Sequence, residues 1–278
     1  MKFLLRKAIL ILMLIGLVSG CAPFSAHIPQ RTEQDIYLEG VESIKVEIRG
    51  GKLSFIGESR ETLKMVTTLS EPPSVSNSSD QTQLTLALQE STRGQVTTLY
   101  VPNDLHLIVE SFSARLQMDR VTGTLNAFTV AGDIFYQDGE GEAILRSGRG
   151  NIYVSGGEGE LTVLGEHGAV EVTGFLGSTS LSTIMGEISY QAPRITTGPV
   201  ALETDHGSVD VIVPTSSNYQ IRAATTSGVL QCVGSHLQKT LAGCEGKTGR
   251  GKYPLTIRSV SGRIYLRESS VNQDATNE

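Results

Sequence analysis

The chain has little positive charge to spare. Its formal net charge is −6, and three basic residues (Lys2, Arg6, Lys7) belong to a leader; without them 23 − 3 = 20 basic residues stand against 29 acidic ones, a net of −9. No basic stripe is left to neutralise phosphates, so nucleic acid is not an expected partner. Tryptophan is absent, prolines number 9 and cysteines 3. No stretch after residue 20 carries a helical period, so almost no helix is expected. The one long apolar run, residues 8–18, is too short to span a bilayer comfortably. No nucleophile, histidine and aspartate constellation stands out either. The expectation is a non-enzyme with no catalytic residue, no metal and no cofactor.

Glycine is what the chain has in excess, with 30 residues in a composition otherwise ordinary for one or two globular domains. The 39% of apolar residues arrive as short alternating runs rather than broad stripes.

The first twenty residues read as a targeting signal, with a basic start (Lys2, Arg6, Lys7) followed by the apolar run. The signal closes on Val18-Ser19-Gly20-Cys21, which resembles the lipobox of bacterial lipoproteins. That resemblance implies acylation of Cys21, which becomes the mature N-terminus, and a membrane partner through the lipid. Two or three acyl chains anchor stably where one does not. Ala22 after the cysteine resembles the outer-membrane sorting choice in a bacterium with two membranes. Residues 21–40 read as a polar tether, 41–104 as a β-rich segment, 105–268 as a repeat domain and 269–278 as a disordered tail.

The repeat is a register. Leu125, Ala127 and Thr129 alternate with polar residues, a short break ends at Gly132, and Ile134 and Tyr136 follow. The same order returns 18 residues later, with anchor glycines at 132, 150, 168 and 186. Gly207 and Gly228 follow at spacings of 21 and Gly262 at 34, while Ala114 takes the glycine slot of the first repeat. Alternation puts 125, 127 and 129 on one face and 134 and 136 on its counterpart after the bend. The slot after the glycine reads Leu116, Ile134, Ile152, Val170, Ile188, Val209, Leu230, Ile264, apolar in every repeat. One repeat offers only about four such residues, each contributing roughly 1.5–3 kcal/mol when buried, so neighbours must cover it. The predicted fold is all-β: a β-solenoid of about eight coils of roughly 18–21 residues, stacked ~4.8 Å apart, after a short β-rich N-terminal segment. A second slot reads Ser111, Thr129, Ser147, Gly165, Thr183, Thr204, Thr225, Ser259. Its small hydroxyls face the bend, where they can bond the turn or the next coil. The glycine three residues on supplies either φ > 0 or a close backbone approach.

Gly150-Asn151-Ile152-Tyr153-Val154, Gly207-Ser208-Val209-Asp210-Val211-Ile212-Val213-Pro214 and Ser261-Gly262-Arg263-Ile264-Tyr265-Leu266 resemble the bacterial β-strand-repeat family of candidate adhesins, a domain of unknown function. The similarity covers about residues 100–267. It implies the fold and brings no catalytic residues.

Several residues invite chemistry. In an exported chain, Cys232 and Cys244 are left once Cys21 is acylated, and an even count favours a disulfide contributing about 3 kcal/mol in the chain-entropy model. The run 243–252 lacks the first glycine of a P-loop, since Leu241 holds that place, and reads as a solvated loop rather than a nucleotide site. His167, Met185 and His206 share one slot of successive coils, but the histidines stand roughly 10 Å apart, too far for one metal. Glu171, Glu187 and Asp210 read as a solvated acidic face. Phe135 and Tyr153, with Phe128 on the neighbouring strand, are outward aromatics suited to a surface protein or glycan; alternatively the strands of 41–101 pack over them.

The functional expectation is a non-enzymatic cell-envelope lipoprotein, an adhesin or partner-binding scaffold. The alternatives are a structural or stress-related envelope component and, behind it, an enzyme on envelope polysaccharide.

Overall fold

The computed structural model describes residues 31–68, 73–79, 81–88 and 96–269. The leader, Cys21, the tether as far as residue 30 and the tail from residue 270 lie outside the described residues. Every regular element described is a β-strand, and the strands form two sheets of 13 and 12. Each coil enters the 13-stranded first sheet, turns, and crosses to the 12-stranded second sheet. Thr122–Thr129 and Ile134–Gln137 make one coil; Glu140–Ser147 and Ile152–Ser155 make the next. Leu125, Ala127 and Thr129 are buried from one side, Ile134 and Tyr136 from the other, and the two buried faces share one continuous core. The fold is the all-β solenoid that the register predicts. Burial pushes the Tyr136 hydroxyl up to about 12, with Glu140 adding to the shift.

Coils stack in parallel without slip. Leu107, Leu125, Ala143, Leu161 and Thr179 are successive partners in the first sheet. Leu116, Ile134, Ile152, Val170 and Ile188 are their counterparts in the second. A one-residue slip would turn every apolar residue outward, which is why the register is strict.

The stack differs from the expectation at both ends. Ten coils are present among the described residues, not eight, because 43–58 and 83–102 each supply one strand to each sheet. The N-terminal strands therefore lengthen the solenoid instead of lying across its face. Nor do coils follow chain order throughout. Ile44 sits between Leu107 and Leu84, so the 83–102 coil lies outside the 43–58 coil. At the other end Leu255 sits between Val200 and Ile221, so the 253–269 coil is inserted inside the 219–233 coil. Periodicity specifies in-phase stacking but not which coil is the neighbour. The spacing of 34 between Gly228 and Gly262 marks a chain long enough to leave and come back. Antiparallel strands finish the ends. Thr32–Tyr37 and Thr62–Thr67 extend the second sheet at the N-terminal end, and Ser74–Asn77 the first. The hairpin Leu237–Thr240 and Gly243–Lys247 extends the first sheet at the C-terminal end. Two readings are thereby corrected: part of the tether is strand Thr32–Tyr37, and the first half of the 243–252 run is the sheet strand Gly243–Lys247, with Cys244 and Thr248 fully buried.

The passage from first to second sheet forms one long edge, here the glycine edge. Ser111, Thr129, Ser147 and Thr225 each accept the N–H of the residue three positions on, at 2.8–3.0 Å. Ser147 also donates to the Gly132 carbonyl of the coil before it. Both bonding modes expected of this slot are used, and Ser259 is the exception, buried with no partner. At Gly150 the need is close approach, since a Cβ there would collide with the Gly132 carbonyl.

Candidate functional site

Outward aromatics occupy both outer faces of the solenoid. On the second sheet Gln117, Phe135, Tyr153 and Glu171 are consecutive cross-strand partners. The Phe135 and Tyr153 rings stack with centroids 4.8 Å apart and planes 15° from parallel. The Arg115 guanidinium lies 4.1 Å from the centre of the Phe135 ring. Cross-strand aromatic and cation–π contacts of this kind stiffen a sheet face. They also consume ring faces: Phe135 has one covered by Tyr153 and the other by Arg115. A sugar stacks on an open ring face, and Phe135 offers none, while the Tyr153 face away from Phe135 borders Glu171. No N-terminal strand covers it, because those strands stand at the end of the stack.

Phe128 does not join this pair. It belongs to the first sheet, 44% exposed on the opposite outer face. Phe128 and Phe135 each point outward from their own strand, but the chain crosses from one sheet to the other between them, so the two outward positions lie on opposite faces. Phe128 instead lines an open groove of about 640 Å³ with Phe112, Val130, Glu47, Arg49 and Glu110. Lys45 bridges Glu47 at 2.8 Å and Glu110 at 3.0 Å, and those hydrogen bonds hold its ammonium above the ordinary lysine range. The groove continues into a row of apolar residues along the glycine edge: Phe112 (63% exposed), Val130, Leu164, Ile184, Met185 (52%) and Val260. The opposite long edge, where coils return to the first sheet, exposes fewer large apolar side chains among the described residues: Tyr37, Ile195 and, at a strand end, Val233.

The remaining candidates separate. Cys232, in the outermost strand of the second sheet, is disulfide-bonded to Cys244 of the first-sheet hairpin, with Cα atoms 6.5 Å apart. The bond ties the two sheets together at the C-terminal end. His206 is hydrogen-bonded through Nδ1 to Ser261 at 2.6 Å. Ser189 stands between Glu171 and Asp210, and Glu187 lies outside their column, so the three carboxylates do not converge. Two buried tyrosines escaped the sequence reading. Tyr190 and Tyr219 meet inside the core with hydroxyls 3.3 Å apart, and burial raises both above the ordinary tyrosine value. Tyr190 follows the apolar period, and the signal for Tyr219 was hidden by the out-of-order coil.

Residues 31–267 match the sequence profile of one family from end to end of the strand stack. The chain belongs to the Toastrack DUF4097 family. Its Toastrack domain reaches back to residue 31, taking in the strands before residue 100. Among solved structures the Toastrack chain is similar to a candidate cell adhesion protein from Clostridium sporogenes, at 12% identity and a TM-score of 0.26, covering 87% of this chain and 100% of that one. It is also similar to a candidate adhesin from Bacteroides fragilis, at 13% identity and a TM-score of 0.39, covering 85% and 97%. Likenesses this remote transfer no function. No curated protein matches the chain.

Proposed function

We propose that this Toastrack protein is a non-enzymatic envelope lipoprotein, acylated at Cys21, whose solenoid is a rigid scaffold for a protein partner. Export and anchoring rest on the basic and apolar leader and on Val18-Ser19-Gly20-Cys21. In a bacterium with two membranes Ala22 directs it to the outer one. Adhesion to a surface protein is the fitting role for such a scaffold. The observation that supports it is the stripe Arg115, Phe135, Tyr153 and Glu171 on the outer face of the second sheet. The stripe is flat, locked by stacking, cationic at one end and anionic at the other. Such a surface binds without ordering long side chains, which lowers the entropic cost of association. A protein suits it better than a glycan because the Phe135 ring faces are already filled.

Two experiments test the reading. Metabolic labelling with a fatty-acid analogue should mark the wild-type chain and not Cys21→Ser; label on both removes the anchor. Paired Phe135→Ala and Tyr153→Ala substitutions, outward and outside the core, should abolish surface attachment while the chain remains folded. Undiminished attachment by that variant removes the binding role, and attachment lost to soluble glycan competition reassigns the partner to a glycan.

A further inference from the structure

Most of the exposed large apolar side chains among the described residues lie on or beside the glycine edge. Apolar side chains scattered singly over a surface need no explanation, but a row concentrated along one edge does. The row is densest where Phe112, Phe128 and Val130 gather around the groove, in the coils ending at 119 and 137.

The chain's own path indicates what faces this edge. Strand Thr32–Tyr37 is antiparallel to Thr62–Thr67, which is antiparallel to Val96–Pro102, which is parallel to Lys52–Glu58. Thr32 is therefore level with Thr67, Thr97 and Leu53, at the start of the second-sheet strands. Those strands start at the glycine edge, so the chain running back to Cys21 leaves from the same edge that carries the apolar row. The exit strand is four strand spacings from Arg115–Asp119, roughly 19 Å. Only residues 22–30 separate Cys21 from the first described residue, and those ten Cα-to-Cα steps span at most ~35 Å when fully extended. An anchor at Cys21 thus makes the edge from which the chain exits the one nearest the bilayer.

We propose that the glycine edge is the membrane-facing edge of the protein, and that Phe112, Phe128 and Val130 seat in the headgroup and upper acyl region of a lipid bilayer. The inference rests on the acylation of Cys21 proposed above. Phenylalanine at the interface adds apolar burial to the lipid anchor, and the neighbouring Arg49 meets headgroup phosphates. Farther along, Glu166 and Asp205 interrupt the row. The solenoid is accordingly tilted, seated near its tether and lifting away toward Val260.

The test uses the full acylated chain in vesicles of phosphatidylethanolamine and phosphatidylglycerol, with part of the lipid carrying an acyl-chain nitroxide. With Cys21 acylated and Cys232 and Cys244 paired, one introduced cysteine accepts an environment-sensitive fluorophore. We expect the label at Ser113→Cys to shift to the blue and be quenched several-fold more than the label at Ile195→Cys on the opposite edge. Phe112→Asp with Phe128→Asp should return the 113 label to water while the chain still floats with the vesicles. A vesicle-bound chain whose 113 label stays in water, or is quenched no more than the 195 label, overturns this inference and leaves the anchor standing. A wild-type chain that does not float overturns both. A 113 label that is in water on vesicles but protected on cells assigns the edge to a protein partner and equally overturns it.

Discussion

The two ends of the solenoid solve one problem by different means. A stack of coils must stop somewhere, and its last coil has core residues with nothing beyond them. At the N-terminal end the outermost coil keeps Leu84, Leu86, Leu99 and Val101 at 5% exposure or less, because three antiparallel strands close over it with Leu63 and Met65. Thr67 and Thr97 hydroxyls pair at 2.9 Å inside this cap. At the C-terminal end Leu230, Cys232 and Leu237 remain only partly buried. There a hairpin and the Cys232–Cys244 disulfide do the closing. Where apolar cover is ample no covalent bond is used, and where it is thin a disulfide takes its place, the same trade that small domains make as a whole.

Since each coil touches only its neighbours, damage at one end should leave the other intact. A central substitution is the reference, because it harms both ends equally. Gly150→Val drives a side chain into the Gly132 carbonyl and should cost more than ~4 kcal/mol, seen in denaturant unfolding or as loss of soluble chain. Leu63→Ala opens the N-terminal cap and should cost about 2–5 kcal/mol. Hydrogen exchange should quicken in the 43–58 and 83–102 coils and not at 253–269; loosening at both ends would mean that they are coupled. Replacing Cys232 and Cys244 by serine should cost about 3 kcal/mol, with faster exchange confined to the 219–233 and 253–269 coils. Thr179 occupies a column of aliphatic residues with its hydroxyl buried and unpartnered. Thr179→Val should therefore stabilise by about 1 kcal/mol, raising the melting temperature without favouring either end.

The smallest effect is one of pH. The hydrogen bond and charge of Lys64 hold the Glu33 carboxyl below its ordinary 4.5. A lowered folded-state pKa contributes stability above the unfolded value and loses it as pH falls through the folded value. Acidification below about pH 4.5 should loosen strand Thr32–Tyr37. Val229–Val233, which carries no charged residue, should not respond. Amide signals of Ile36 and Leu230 followed through the titration would separate the two, and an equal response would remove the role of the ion pair.

Much of the architecture is legible without coordinates because one rule is applied many times. Ile134, Ile152, Val170 and Ile188 recur at one spacing, and alternation alone turns them inward. The hydroxyl slot was equally readable, since a buried serine three residues before a glycine has few other partners. Order was not. Nothing in Leu255 distinguishes a neighbour at 200 from one at 221, as both present the same inward face in the same phase. The outward positions were legible only as positions. Alternation within each strand marked Phe128 and Phe135 both as outward, and the sheet crossing between them, which a period does not reveal, put them on opposite sides.

The out-of-order coils at both ends carry a consequence for how such a protein changes length. A new coil cannot be appended at either terminus, because the last coil in space is not the last in the chain. The interior, from residue 105 to 191, has no such constraint, and there a duplicated 18-residue unit meets a carbonyl below and a glycine above that already fit it. Variation in size should arise by insertion and loss of middle repeats, with the two finished ends inherited unchanged and moved apart or together as a pair.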